Sequence, residues 1–289
     1  MILAILALLF GVGRLAASGT ATNLSGLDFT GTTTNGSLVA GGGNDQNWIV
    51  TYANVGGTSY KGTSAYTGAP YVVNNALVQS VAWVQNTSSA QWITAPGASS
   101  APTGGTTNTG GDYLPGNGTT GPNTAQYVYT LAFTIIGSGS GSVKNNVAIS
   151  LTIAADDQYT VYVNPTLNSN GSVNTSKSTA STSGLNAWTN TQAAYLQNYA
   201  NGNSTADANF VIGTNYIAIV VQNTDSLTGS SSSTALNASG LLVYQVGSVA
   251  LINGQPVPEV CTWLPVAGAL GLFGSVAWRR RQNRYRPSI

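Results

Sequence analysis

The sequence predicts an all-β protein whose main domain is an antiparallel β-sandwich. Runs of β-branched and aromatic residues recur along the chain and alternate with polar residues, as in half-buried strands. Long segments of Gly, Ser, Thr and Asn separate these runs, and few segments have a helical period. Many strands with few helices indicate two packed antiparallel sheets, with the jelly roll as the expected architecture.

The elements follow from the positions of the apolar runs. Strands are predicted at 48–52, 77–84, 126–135, 147–153, 159–163, 216–221 and 241–246. A short helix is predicted over Thr191–Tyr199, and polar loops over 98–124, 164–187 and 224–236. We expect one sandwich over residues 22–250, followed by a linker at 251–257.

Charge is concentrated at the two ends of the chain. All six arginines and the only glutamate lie in the terminal segments. Residues 22–257 retain three lysines against seven aspartates, a formal charge of −4. A body with this charge has no basic surface for nucleic acid, so no nucleic-acid partner is predicted.

The body offers few catalytic side chains, because residues 22–257 contain no histidine, cysteine, glutamate or arginine. Ser-His-Asp and Cys-His catalysis and His- or Cys-bound metals are therefore excluded. A pair of aspartates, as in some glycosidases, is the remaining option. On a strand, the adjacent Asp156 and Asp157 would point to opposite faces and could not flank one glycosidic bond. We predict a non-catalytic body.

The N-terminus predicts export. Residues 1–21 are interpreted as a signal peptide, with an apolar run at 2–12 and small residues at Gly19-Thr20-Ala21 for cleavage. No basic residue precedes the apolar run, so we expect a start codon further upstream. A signal anchor is the alternative interpretation.

The C-terminus predicts a membrane helix. Residues 261–278 are 18 uncharged residues, near the length that spans a bilayer. Trp263 and Trp278 flank the run, as interfacial anchors do, and Arg279, Arg280 and Arg281 follow it as a stop-transfer signal. A buried core helix with a basic end is the alternative.

A short motif precedes this helix. Val257, Pro258 and Glu259, the apolar run and the arginine cluster together resemble the PEP-CTERM sorting signal of Gram-negative bacteria, here over 258–289. Val260 replaces the second proline of the family's usual Pro-Glu-Pro. The resemblance implies an exosortase as partner, tethering to inner-membrane lipid before processing, and a final location at the cell surface or in the extracellular matrix.

The body has a resemblance of its own. Short motifs occur in the order Trp92-Ile93-x-x-Pro96, Tyr127-x-Tyr129-x-x-x-Phe133, Ala154-Ala155-Asp156-Asp157 and Gly213-Thr214-Asn215-Tyr216-Ile217. In this order they resemble the galactose-binding-like jelly roll. That resemblance implies a polysaccharide ligand and, in many members, a bound calcium ion.

Two groups of residues are candidates for binding. Asp156 and Asp157 are interpreted as a turn after a strand, or as oxygen ligands of a structural calcium, and no other cofactor is expected. Trp188, Tyr195 and Trp92 are candidate glycan contacts, whereas Trp83 is predicted to be core. We expect a surface or matrix protein that contacts polysaccharide. The alternatives are a purely structural biofilm or surface-layer protein and a divergent aspartate-based glycoside hydrolase.

Overall fold

The computed structural model describes the chain between Ser18 and Pro256, with gaps. The described residues are 18–55, 57–62, 66–75, 78, 83–96, 124–143, 146–176, 180–185, 188–198, 209–224, 239–245, 250–253 and 255–256. They form mostly β-sheet with almost no helix, which confirms the predicted all-β sandwich class. Within these ranges no helix has the length and apolar character needed to cross a membrane. The apolar run of the signal segment and the sorting tail lie outside the described residues.

The described strands are numbered in chain order. They are β1 Ser18–Ser25, β2 Trp48–Val55, β3 Thr58–Lys61, β4 Tyr71–Val72, β5 Ile93–Thr94, β6 Thr124–Ser138, β7 Ser142–Val143, β8 Val147–Asp156, β9 Gln158–Val163, β10 Ala180–Leu185, β11 Gln192–Asn198, β12 Gly213–Thr224, β13 Gly240–Tyr244, β14 Ala250–Ile252 and β15 Gln255–Pro256.

The first sheet, sheet one, is built around β6. Strand β12 pairs with β6 from Thr124 to Ile135, and the order continues from β12 to β9 and β10. Two strands pair with the other side of β6, one after the other. Strand β2 pairs with residues 125–131 of β6, and strand β1 pairs with residues 134–138. The length of β6 lets one strand organise two neighbours on the same side.

The second sheet, sheet two, is built around β8. Strand β11 pairs with β8 along 147–153. On the other side of β8, β14 pairs with 147–149 and β13 with 152–156. The order then continues from β13 to β5 and β4.

The main core lies between the two sheets. Alternate residues of β6 and β12 face the core residues of β8, and the side chains that are fully buried there include large aromatic and aliphatic groups. Burial of this apolar area is the main stabilising term of such a fold. The largest of these buried side chains are Trp48, Tyr127, Tyr129, Phe133, Phe210, Ile135, Ile149 and Ile153.

The chain repeatedly changes sheet. From β6 onward it passes from sheet one to β8 in sheet two, returns to β9, and later runs from β11 in sheet two to β12 in sheet one and β13 in sheet two. The β8–β9 crossing is abrupt, because only Asp157 separates the two strands. The Asp156–Asp157 peptide bond at this crossing is cis.

Several predicted elements need correction. The predicted helix over Thr191–Tyr199 is strand β11. The predicted loop 164–187 contains strand β10. Of the predicted strand 77–84, the described residues Val78, Trp83 and Val84 lie in no strand.

Described strands lie across two of the predicted boundaries, which stay predictions. Residues 18–21 belong to β1, where Thr20 and Ala21 pair with β6, so cleavage at 19–21 would cut a strand of the folded body. The predicted linker 251–257 contains β15 and most of β14. The folded body therefore extends from Ser18 to Pro256 among the described residues. Both ends are held by strand pairing, which local sequence composition does not reveal.

Candidate functional site

The outer face of sheet two is divided into a covered half and an open half. Along β8, residues Ile149, Leu151 and Ile153 point into the main core, so Ser150 and Thr152 point outward. The outward residues at the Asp156 end are buried under other parts of the chain, whereas those in the middle of the strand are partly exposed. The two halves offer different chemistry.

A cover segment, residues 83–92, closes the first half. Trp83 and Trp92 stack with ring centroids 4.2 Å apart and planes inclined by 29°. They pack on the outward residues Ala154 and Leu242. The indole N–H of Trp92 donates to the carbonyl of Val84 at 2.7 Å, so this buried polar group is satisfied.

These positions decide two of the sequence predictions. Trp83 is 3% exposed, which confirms that it is a core residue. The prediction that Trp92 contacts glycan is wrong, because its side chain is fully buried beneath the cover segment. A short apolar sequence pattern could not distinguish a tryptophan that faces solvent from one that packs on the outside of a covered sheet.

The tryptophan pair requires a glycine beneath it. A Cβ atom on Gly240 would lie 2.6 Å from Cη2 of Trp83 and 3.1 Å from Cε3 of Trp92. A contact of 2.6 Å essentially never occurs at a real Cβ atom, so any side chain at this position would displace the ring of Trp83. Gly240 pairs with Asp156 across β13 and β8, which places the aspartate at the edge of the same cluster.

Asp156 is a buried carboxyl that accepts a hydrogen bond from an indole N–H. Nε1 of Trp83 donates to Oδ2 of Asp156 at 2.8 Å. Burial, the hydrogen bond between the side chains of Asp156 and Asp157, and the charge of Asp157 raise the pKa of Asp156 to about 8, and the Trp83 bond opposes the rise. The direction of this shift favours the protonated form of Asp156.

The hydrogen bond between the two side chains corrects an expectation. They do not point to opposite faces, because β8 ends at Asp156 and the strand alternation does not extend to Asp157. Two hydrogen-bonded carboxyls are nevertheless closer than the pair in a glycosidase, which needs roughly 5 Å or more between them. The backbone N–H of Asp157 donates to the carbonyl of Gln222 at 3.1 Å, which ties the crossing to β12.

Calcium at Asp156 and Asp157 stays a prediction. Calcium takes about six to eight oxygen ligands. Among the described residues, no group of three or more His, Cys, Asp or Glu side chains is placed to hold a metal. A cation at this position would also meet Oδ2 of Asp156 already bonded to Trp83.

The open half of sheet two carries Tyr195. This side chain is 70% exposed, and its residue pairs directly with Ser150 of β8. Ala193, one step along the same face, pairs with Thr152. Small partners leave the tyrosine ring free on the surface. We call this surface the open face; its outward residues are Ala148, Ser150, Thr152, Ala193, Tyr195 and Gln197.

Two further aromatic residues border the open face. Trp188 and Tyr244 are half-buried and pack against the cover-segment cluster. Tyr244 pairs with Thr152 from the β13 side, and the carbonyl of Trp188 accepts a hydrogen bond from the N–H of Val84 at 2.8 Å. The sequence-predicted residues Trp188 and Tyr195 thus both belong to the outer side of sheet two, one at the border and one in the open half.

The open face has the composition of a surface that hydrogen-bonds neutral ligands. Its outward side chains carry hydroxyl and amide groups, and none of them is charged. Sequence analysis missed Ser150, Thr152 and Tyr244. The alternation of inward and outward residues along β8 is visible in the sequence. The strand pairing that aligns these residues with Tyr195 is not.

Comparison with known proteins adds little. No protein-family model matches the chain, and no curated protein matches it. A similar solved structure is that of the cysteine protease and lectin-like domains of Cwp84, a surface layer associated protein of Clostridium difficile. It shares 13% identity at a TM-score of 0.20, and the match covers 79% of this chain and 54% of that one. The chain thus spans about half the length of that structure, and a similarity this low carries no argument.

Proposed function

We propose that the protein is an exported surface or extracellular-matrix protein whose non-catalytic body contacts polysaccharide through the open face of sheet two. The observation that carries this proposal is Tyr195, a 70% exposed ring on a strand face whose described outward residues are uncharged. An exposed tyrosine offers a flat apolar surface and a hydroxyl at its tip. A pyranose ring presents the matching pair of features, an apolar C–H face and a rim of hydroxyls.

The neighbours of Tyr195 suit such a ligand. Ser150, Thr152 and Gln197 supply donors and acceptors around the ring. Strands about 4.8 Å apart and residues about 6.8 Å apart on one face form a regular grid. A grid of this kind fits an extended chain better than a single small molecule, which would prefer a concave pocket.

A jelly roll is the architecture that we propose for the sandwich. The repeated passage of the chain between sheets, through β6, β8, β9, β11, β12 and β13, supports a jelly roll. The galactose-binding-like resemblance of the sequence motifs points to the same architecture. Fold alone does not define function, so the ligand hypothesis is based on the open face.

Export and sorting are proposed from the ends of the sequence. The PEP-CTERM-like motif begins at Val257, one residue after the last described strand, β15. A motif placed there would follow the folded body directly and leave the tail available to an exosortase. The protein would be tethered to inner-membrane lipid before processing and reach the surface or matrix afterwards.

We propose that the body is not an enzyme. Two observations support this. Residues 22–257 contain no histidine, cysteine, glutamate or arginine. The side chains of Asp156 and Asp157 are hydrogen-bonded to each other. One of these two carboxyls is buried beneath the cover segment, away from the open face.

Affinity electrophoresis tests the proposal. The body, residues 18–256, is run through gels that contain galactomannan or mixed-linkage glucan, both neutral, or alginate, which is acidic. We expect a neutral polymer to retard the body, and Tyr195→Ala to weaken binding roughly tenfold, equivalent to about 1.4 kcal/mol. Leu38→Ala is the control, because Leu38 is also exposed, at 44%, but lies outside both sheets.

Two outcomes would count against the proposal. If no polymer retards the wild-type body, polysaccharide contact fails. Self-assembly in the absence of any glycan, unaffected by Tyr195→Ala, would support the purely structural alternative instead. Release of sugar from any of the polymers, abolished by Asp157→Asn, would revive the hydrolase hypothesis.

A further inference from the structure

The outer face of sheet one is also divided into a covered and an open half. The loop 164–176 covers one half, where Val173 packs against outward residues of four strands: Tyr52, Val128, Tyr162, Ala218 and Val220. The other half bears Tyr216, which is 47% exposed. Tyr216 pairs with Ala132 of β6, another exposed residue.

This second surface repeats the arrangement around Tyr195. In both places an exposed tyrosine stands directly opposite a small residue, Ala132 here and Ser150 there. The small partner leaves one side of the ring open for stacking. Hydroxyl groups lie beside Tyr216 on Thr214 and Thr134, and the same outer face also carries the exposed side chains of Ile49 and Ile136.

A row of hydroxyl groups runs beside Tyr216. Thr214 of β12 pairs with Thr134 of β6, and Thr134 pairs with Ser25 of β1. Neighbouring strands lie about 4.8 Å apart, so the row presents a donor or acceptor at each strand. No charged side chain lies in this part of the face among the described residues.

We infer that the sandwich is bivalent: a second neutral polysaccharide segment binds at Tyr216, Thr214 and Thr134 on sheet one. This inference rests on the proposed function of the open face of sheet two. The two tyrosines lie on opposite outer faces of a two-layer sandwich, whose sheets are about 10 Å apart. One glycan segment cannot stack on both, so two segments are joined by one protein.

Bivalence changes what the protein does in a matrix. A monovalent domain only decorates a polysaccharide, whereas a domain with two opposed sites cross-links neighbouring chains. Each link gains from the high effective concentration of sugar along a polymer that is already bound. Weak individual sites are therefore sufficient to hold a network together.

Galactomannan provides the test. Mixing the wild-type body with high-molecular-mass galactomannan is expected to give turbidity that depends on protein concentration and passes through a maximum. Tyr195→Ala and Tyr216→Ala should each abolish the turbidity while still binding in affinity gels, with an affinity lower than that of the wild type. Leu38→Ala should behave as the wild type. Calorimetric titration with short galactomanno-oligosaccharides should give a stoichiometry near two, and near one for either tyrosine variant.

A second variant covers the case in which Tyr216→Ala does not fold. Ala132→Glu places a carboxylate opposite Tyr216 at an exposed position, where it should block stacking without disturbing the core. Far-UV circular dichroism and the melting temperature of each variant confirm that the fold is intact.

The outcomes separate the two proposals. Wild-type stoichiometry near one, unchanged by Tyr216→Ala and Ala132→Glu, would overturn bivalence and leave the Tyr195 site in place. Absence of any galactomannan binding by the wild type would overturn both for this class of polymer. A sugar-independent dimer lost in Tyr216→Ala would assign the second surface to protein contact and also overturn bivalence.

Discussion

The indole N–H of Trp83 donates to Oδ2 of Asp156 at 2.8 Å across 73 positions of sequence. This hydrogen bond links the cover segment to the last residue of β8, where the chain passes from sheet two to sheet one. It also joins the tryptophan pair to the two adjacent carboxyls of Asp156 and Asp157. The covered half of the outer face is therefore sensitive to the charge of one carboxyl.

Stability should fall as the pH rises through the neutral range. The unfolded chain releases the Asp156 proton near the ordinary pKa of 3.8, whereas the folded protein retains it to about pH 8. The contribution of this group is fully present below 3.8 and is lost progressively up to about 8. We expect the melting temperature to decline over that interval.

Asp156→Asn isolates this effect. The asparagine resembles the protonated acid, because its oxygen can accept from Trp83 and its Nδ2 can donate to Asp157. The variant should match the wild type at acid pH and exceed it in melting temperature above pH 8. Equal pH profiles for the two proteins would contradict the raised pKa of Asp156.

The corresponding substitution Asp45→Asn should lower the free energy of unfolding. Oδ1 of this buried carboxylate accepts from the N–H groups of Asn47 at 2.8 Å and Trp48 at 2.7 Å, and Oδ2 accepts from the N–H of Gly31. Burial raises the pKa of Asp45, and these backbone hydrogen bonds oppose the rise.

In Asp45→Asn, one oxygen becomes an amide group that cannot accept from a backbone N–H. We expect a loss of about 1–3 kcal/mol in the free energy of unfolding, measured by urea denaturation. Asp156→Asn is the matched control at neutral pH. A loss at Asp156 as large as that at Asp45 would show that the number of donors does not distinguish the two carboxyls.

Gly240→Ala should disturb the tryptophan pair. The added methyl group would lie 2.6 Å from Cη2 of Trp83, and overpacking of this kind costs about 1–3 kcal/mol. Near-UV circular dichroism should lose the signal of the stacked indoles. In a Trp83→Phe background the penalty should shrink, since the smaller ring does not reach the methyl group, and an unchanged penalty would contradict this explanation.

Asn215→Ala should destabilise the segment 211–213, which leads into β12. The fully buried Asn215 donates to the carbonyls of Val211 at 2.8 Å and Gly213 at 2.9 Å. Its Oδ1 accepts from the N–H of Val211 and from Nδ2 of Asn164. Loss of this side chain leaves several buried groups unsatisfied, at a cost of more than about 2 kcal/mol. The exposed Asn190→Ala should cost little in the same urea titration.

The strands with clear alternation were predictable, and those without it were not. Strands β6, β8, β9, β12 and β13 were located from local pattern because their β-branched and aromatic residues face a core on alternate positions. Strand β11, with the sequence QAAYLQN, contains residues that favour helices, and pairing with β8 overrides that preference. Strand β10 is rich in Ser, and its local sequence therefore predicts a loop.

The candidate site was predictable only in part. Exposure of Tyr195 followed from its position beside a polar segment, but the burial of Trp92 depends on the cover segment folding back over sheet two. The raised pKa of Asp156 depends on Trp83, far away in sequence. Local patterns carry no information about such contacts, which arise from topology.

The most direct test of the account maps the bound sugar on the protein. Backbone amide chemical shifts of the body are followed by NMR while galactomanno-oligosaccharides are added. We expect shifts concentrated in β8 and β11 around Ser150 and Tyr195, with a second group around Tyr216. Saturable shifts confined to other parts of the surface, or no shifts, would contradict the assignment of the open face as a polysaccharide site.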